Sequence, residues 1–177
     1  MNVRAVFRTV IVTGGLCIGS MSFLTASGSA SGPPAQGTIH VKGTGIDLLN
    51  GAIIHSKKTT PTGEIRKSTE IVELRGDLDG TVLYGVTTVI NTKQGTLTNS
   101  GDQVFSGTIA GSEPVMIRDS KFSFSVNLRT GAEHGSVYLT DHIAGPQVRC
   151  QLQVTGTGKS ADGNPTFKYA GTCAFEG

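Results

Sequence analysis

Between Thr38 and Phe175 the chain does not hold apolar residues at helical spacing for long; what it repeats is alternation. In Lys121-Phe122-Ser123-Phe124-Ser125-Val126-Asn127-Leu128 every even position is apolar and every odd one polar. That is the pattern of a strand with one face on a core and the other in water. Val148, Cys150, Leu152 and Val154 alternate in the same way with Arg149, Gln151 and Gln153. Such segments are read near 38–46, 51–57, 64–76, 81–91, 95–98, 103–110, 114–118, 121–129, 135–140, 147–156 and 166–175, set apart by Gly, Asn, Asp and Pro. Short strands at this density imply an all-β fold: a single antiparallel, closed or nearly closed β-barrel of about eight strands or more.

The beginning of the chain differs in kind. Arg4 and Arg8 precede an apolar run from Val10 to Leu24, which gives way to Ala26-Ser27-Gly28-Ser29-Ala30. This order reads as a secretory signal peptide over residues 1–30. The run is broken by Gly14, Gly15 and Gly19 and falls short of the ~20 residues a membrane-spanning helix needs. Residues 31–37 read as a flexible leader and 38–177 as one domain, so the expected location is secreted or periplasmic, with no stable membrane insertion after cleavage. Arg4 and Arg8 would leave with the signal, and the remaining chain has as many basic as acidic residues. The positive surface of a nucleic-acid binder is therefore not expected.

Of three cysteines, Cys150 and Cys173 remain after cleavage, and an even number in an oxidising compartment implies a disulfide. Register supports the pairing. The turn signal Ser160-Ala161-Asp162-Gly163 lies midway between two strands, and antiparallel pairing about it sets Cys150 opposite Cys173 on the apolar face of both.

No motif in the chain specifies a reaction. Gly43-Thr44-Gly45 and Gly156-Thr157-Gly158 are followed by more strand rather than by a helix, which disqualifies them as phosphate loops; β-turns and strong sheet coiling are the expected use. His40, His55, His134 and His142 lack ligand spacing, so no metal and no cofactor are expected. Alternation does place some polar groups inward. Glu70 shares a face with Val72 and Leu74, and burial would raise the pKa of such a carboxyl and suit it to acid/base work. Tyr84 is in line with Val82 and Val86, on a strand joined to that of Glu70 by the turn Gly76–Gly80; pairing about Leu78 sets it diagonal to Glu70. Glu70 and Tyr84 are the candidate catalytic pair. Tyr169, Phe122 and Phe124, also on apolar faces, are the candidate ligand-binding residues.

Gly76-Asp77-Leu78-Asp79-Gly80-Thr81, running into Val82-Leu83-Tyr84-Gly85, and then Phe105-Ser106-Gly107-Thr108-Ile109-Ala110-Gly111, resemble the allene oxide cyclase barrel and dirigent-like proteins. The resemblance covers residues 64 to 175. It implies an eight-stranded barrel with an apolar cavity, used by such proteins to fold a reactive chain and steer cyclisation or coupling without a cofactor. Catalysis of that kind is mainly positional and needs few chemical groups. The expectation is an exported barrel that binds a small, largely apolar molecule and cyclises or isomerises it; assembly into a homo-oligomer is compatible with it. Two alternatives stand beside it. One is a non-catalytic binding or cell-envelope protein with a filled barrel and function in loops 57–63, 91–94 and 141–146. The other is a glycoside-cleaving enzyme drawing on Glu70, Glu73, Asp77 and Asp79.

Overall fold

Because side chains alternate across a strand, a sheet rolled into a cylinder sends every second residue inward, and the burial of this chain follows that rule. The computed structural model describes residues 37–176. Its strands are β1 (Gly37–Asp47), β2 (Ile53–Thr60), β3 (Gly63–Gly76), β4 (Leu78–Asn91), β5 (Thr96–Ile109), β6 (Val115–Asn127), β7 (Glu133–Leu139), β8 (Asp141–Ala144), β9 (Val148–Lys159) and β10 (Pro165–Phe175), with a 3-10 turn at Leu49–Gly51. The expected signal peptide, and the leader up to residue 36, lie outside the described residues.

Eight strands form a closed antiparallel barrel in the order β1-β10-β9-β7-β6-β5-β4-β3, and β3 pairs back onto β1. Closure leaves two strands over. β3 gives Val72–Gly76 to β1 and Gly63–Thr69 to β2. β6 gives Ser123–Val126 to β7 and Met116–Arg118 to β8.

Three boundaries differ from the sequence reading. The expected breaks between 98 and 103 and between 118 and 121 are absent: β5 and β6 run through them, and a bulge between Gly101 and Gln103 absorbs the irregularity. The polar stretch there survives inside a strand because part of the barrel interior is itself polar. Residues 141–144, read as loop, form β8, which takes up pairing positions on β6 that β7 does not reach.

At the end of the barrel holding the β3–β4 turn, the interior is closely filled. Leu78, Phe105, Ile109, Ile117, Leu139 and Val148 are all essentially inaccessible to solvent. The disulfide lies in this half, joining Cys150 to Cys173, which are directly paired on β9 and β10, as the turn-centred register requires. Closing the loop contributes about 3 kcal/mol on the chain-entropy account.

Gly43 and Gly45, in the segment read as strand 38–46 and assigned to turns or sheet coiling, lie within β1. They face aromatic rings: Tyr169 is the direct partner of Gly43, and Phe167 of Gly45. The pair Phe124 and Gly135 on β6 and β7 repeats the arrangement. Each ring lies across the bare backbone of its neighbour, so that a narrow interior holds large side chains. A Cβ at Gly135 would strike the Phe124 ring and come within 2.6 Å of the Ser123 carbonyl. Gly135→Ala should therefore lower unfolding free energy by about 1–3 kcal/mol, read from urea denaturation. Gly85→Ala is the control, because a Cβ there meets only Asp102 O at 4.0 Å, and it should change stability by less than about 0.5 kcal/mol.

Candidate functional site

The opposite half of the interior, where β1 ends and β10 begins, is polar. Inward positions of β3 supply Arg66, Ser68 and Glu70, and those of β4 supply Tyr84 and Thr88. Asn99 on β5, Asp47 on β1 and Glu133 on β7 complete the set. Register brings them together: Glu70 pairs with Tyr84, Arg66 with Thr88, and Thr88 with Asn99. Glu70 is 3% exposed and Tyr84 7%.

Tyr84 stands between two carboxyls. Its hydroxyl lies 2.9 Å from Glu70 Oε2 and 3.0 Å from Asp47 Oδ2, while Ser68 Oγ donates to Glu70 Oε1 at 2.5 Å. A phenol has one proton to donate, so both contacts are hydrogen bonds only when one carboxyl carries a proton of its own. Asp47 fits that part. Burial, and then the charge of Glu70, raise its pKa from 3.8 to about 6. Below about pH 6 the chain of donors then runs from Asp47 through the Tyr84 hydroxyl to Glu70; above it the hydroxyl donates to one of two carboxylates. The phenol itself is pushed far upward, first by burial and then by Asp47 and Glu70, so it stays a donor at physiological pH.

Around this relay, four buried polar atoms have no hydrogen-bond partner among the described residues: Asp47 Oδ1, Arg66 Nε, Thr88 Oγ1 and Asn99 Oδ1. All four belong to inward residues of this half. Arg66 approaches Glu70 only to 3.7 Å. An unmet buried donor or acceptor costs about 1–3 kcal/mol. Four of them gather at one end of the interior, around the Tyr84 hydroxyl and its two carboxyls, where a native fold ordinarily leaves few such groups.

The structure brings together some of the residues singled out from the sequence and separates others. Glu70 and Tyr84 meet, but as direct partners, not diagonal ones, because the β3–β4 turn is centred on Asp77 rather than Leu78. Phe122 packs edge-on to Tyr84 with ring centroids 5.8 Å apart, and Phe124 packs against Phe122. The Tyr169 hydroxyl is engaged with main chain, accepting from Leu78 N at 2.7 Å and lying 3.0 Å from Leu78 O, so it anchors the β3–β4 turn. Of the four acids set out for glycoside cleavage, Glu70 alone points inward; Glu73 and Asp79 pair with Arg75 on the outside. Two clefts of about 530 and 310 Å³ flank β1 and contain neither Glu70 nor Tyr84. Among the described residues, no group of three His, Cys, Asp or Glu is placed to hold a metal ion.

Sequence reasoning missed Asp47, Thr88, Asn99 and Glu133. Asp47 could have been found by extending the inward series Gly43, Gly45 by one step. Asp119, also missed, has a different use. It is 1% exposed and sits where β6 changes partner from β8 to β7, accepting from Lys121 N, Tyr138 N and Gln103 Nε2 at 2.6, 2.8 and 3.0 Å.

The two aspartates should therefore respond oppositely to removal of charge. Asp119→Ala strands two main-chain donors and should cost at least about 2 kcal/mol in urea unfolding. Asp47 binds its proton more tightly in the folded state than at its ordinary 3.8. Its contribution is full below that value and is lost as pH rises through about 6, by about 1–3 kcal/mol. Asp47→Asn should flatten this part of the stability profile and raise stability at pH 7.

Comparison with protein-family models, with curated proteins and with solved structures returned no match, so the function of this site rests on its own chemistry.

Proposed function

We propose that the barrel is an exported, cofactor-free acid/base protein that takes a small molecule into its polar mouth and moves a proton on it, the step needed for isomerisation or cyclisation. The observation that carries this reading is the Tyr84 hydroxyl held within 3.0 Å of both Asp47 and Glu70. With a pKa of about 6, Asp47 exchanges protons readily near neutrality, as an effective general acid or base must. It removes a proton from one carbon of the bound molecule and returns it to another, so that atoms balance with no oxidant or co-reactant. Tyr84 and Glu70 hold Asp47 in place; burial raises its proton affinity, the charge of Glu70 adds to that, and the Tyr84 hydrogen bond moderates it. Phe122 and Phe124 supply apolar wall beside the polar group, the usual composition of a small-molecule site. The resemblance to allene oxide cyclase barrels points in the same direction. Export is supported by the disulfide, which belongs to oxidising compartments.

The test is solvent exchange. A set of small enolisable ketones is incubated with the oxidised protein in deuterium oxide, and carbon-bound deuterium is followed by NMR. The wild type should accelerate incorporation, Asp47→Asn should lose about 10²-fold or more, and Glu70→Gln and Tyr84→Phe should lose less while melting within a few degrees of wild type. An absence of acceleration, together with unperturbed Asp47 and Asn99 resonances, rejects the proposal.

A further inference from the structure

The mouth is unbalanced in charge. Glu70, Glu133 and Arg66 are the charged groups that act on Asp47, which makes three carboxyl groups against one guanidinium. Glu133 is the least accounted for. Burial raises its pKa.

Its surroundings are set by register. Gly156 is the direct partner of Phe167 on β10, and on the other side a Cβ there would lie 3.0 Å from Glu133 Oε2. The carboxyl is thus laid over a bare glycine, whose partner on the far side, Phe167, carries its ring across Gly45. Phe124, two residues before the direct partner of Glu133 on β6, Val126, brings a second ring to the same rim. Phe124, Phe167, Glu133 and Asp47 are all only partly buried, so this is the accessible part of the interior. A carboxyl beside aromatic faces is the arrangement that recognises organic cations, because the face of a ring carries negative potential. A second observation is independent of the acidic groups. Thr88, 1% exposed, turns a hydroxyl without a partner into this half of the interior, as Asn99 does with its amide oxygen. Both are able to accept from N–H donors.

We infer that the mouth selects molecules bearing a positively charged amine, the ammonium group held by Glu133 against Phe167 and Phe124 while the rest of the molecule reaches the Asp47–Tyr84–Glu70 relay. This rests on the proposed acid/base reading of the mouth and adds to it the class of ligand. A metal ion does not meet the same description, since the three carboxyls do not converge as a ligand set.

Benzylamine, phenethylamine and cyclohexylmethylamine, each beside its alcohol and its carboxylic acid, are titrated into the oxidised protein. Resonances of the Asp47 carboxyl, the Thr88 methyl and the Asn99 amide are followed. The amines should bind at least tenfold more tightly than the matching alcohols. Glu133→Gln should erase most of that ratio, and Glu133→Asp, which keeps the charge, should retain it. Alcohols or acids binding as well as amines would overturn the amine inference and leave the acid/base reading standing. If no compound moves the three resonances, or if the shifts fall on His40, Lys42 and Thr44 on the outer face of β1, the amine inference is overturned, and the acid/base reading is decided separately by the deuterium exchange.

Discussion

Everything inside this molecule depends on β3 finding β1. That pairing, from Gly43 with Gly76 to Asp47 with Val72, turns an open sheet into a cylinder, removes two long edges from solvent and gives each strand an inside. It also sets the scale of the interior. Eight strands enclose a space that side chains can just fill, so neighbouring strands cannot both contribute bulk at the same level. Glycine opposite aromatic residue is how the chain meets that limit, at Gly43 with Tyr169, Gly45 with Phe167 and Gly135 with Phe124. The close approach of backbone and ring follows from closure and not from any preference of these residues for turns.

The two halves of the cylinder then divide the work. In one, Leu78, Ile109 and Val148 exclude water, Tyr169 fastens the β3–β4 turn, and a disulfide ties β9 to β10. In the other, polar groups are buried without being satisfied. Asp119 makes the distinction plain, because a buried carboxylate can serve stability alone: it accepts three hydrogen bonds at the place where β6 changes partners. Asp47 is partly buried, with one buried oxygen unpartnered and its proton affinity raised, a configuration that costs stability. The filled half and the covalent link supply the surplus from which such a site is supported.

Much of the fold was legible because it is written in alternation. The inward face of β3, from Glu70 to Leu74, and that of β9, from Val148 to Val154, follow directly from every second residue. The hairpin register follows from a turn signal and is checked by two cysteines. Legibility ended where a residue's meaning lies in a neighbour distant in sequence. Gly43 is intelligible only with Tyr169 in view, and nothing near residue 43 announces residue 169. Asp47 meets Tyr84 through β3, the strand between them, so its role requires the closing pair to be known. A one-position error in the centre of the β3–β4 turn set Glu70 diagonal to Tyr84 and hid the direct contact. The polar run through Asn99 and Gly101 read as a loop, since local composition does not reveal that the surface facing it inside the barrel is polar.

The relay has a further property that comes from its geometry. Two carboxyls in direct contact would share one proton between them and both would be fixed by it. Here a phenol is interposed, and its own proton is held too tightly to be lost. The proton on Asp47 can therefore change without Tyr84 being ionised; only the direction of one hydrogen bond has to reverse or break. A loss at Asp47 leaves Tyr84 donating to one of two charged carboxylates, with the other unmatched in a buried place. A donor brought by a ligand would restore the match. Under the proposed reading, occupancy of the mouth by such a donor and the protonation of Asp47 would be alternative answers to the same electrostatic deficit, and each would by linkage oppose the other.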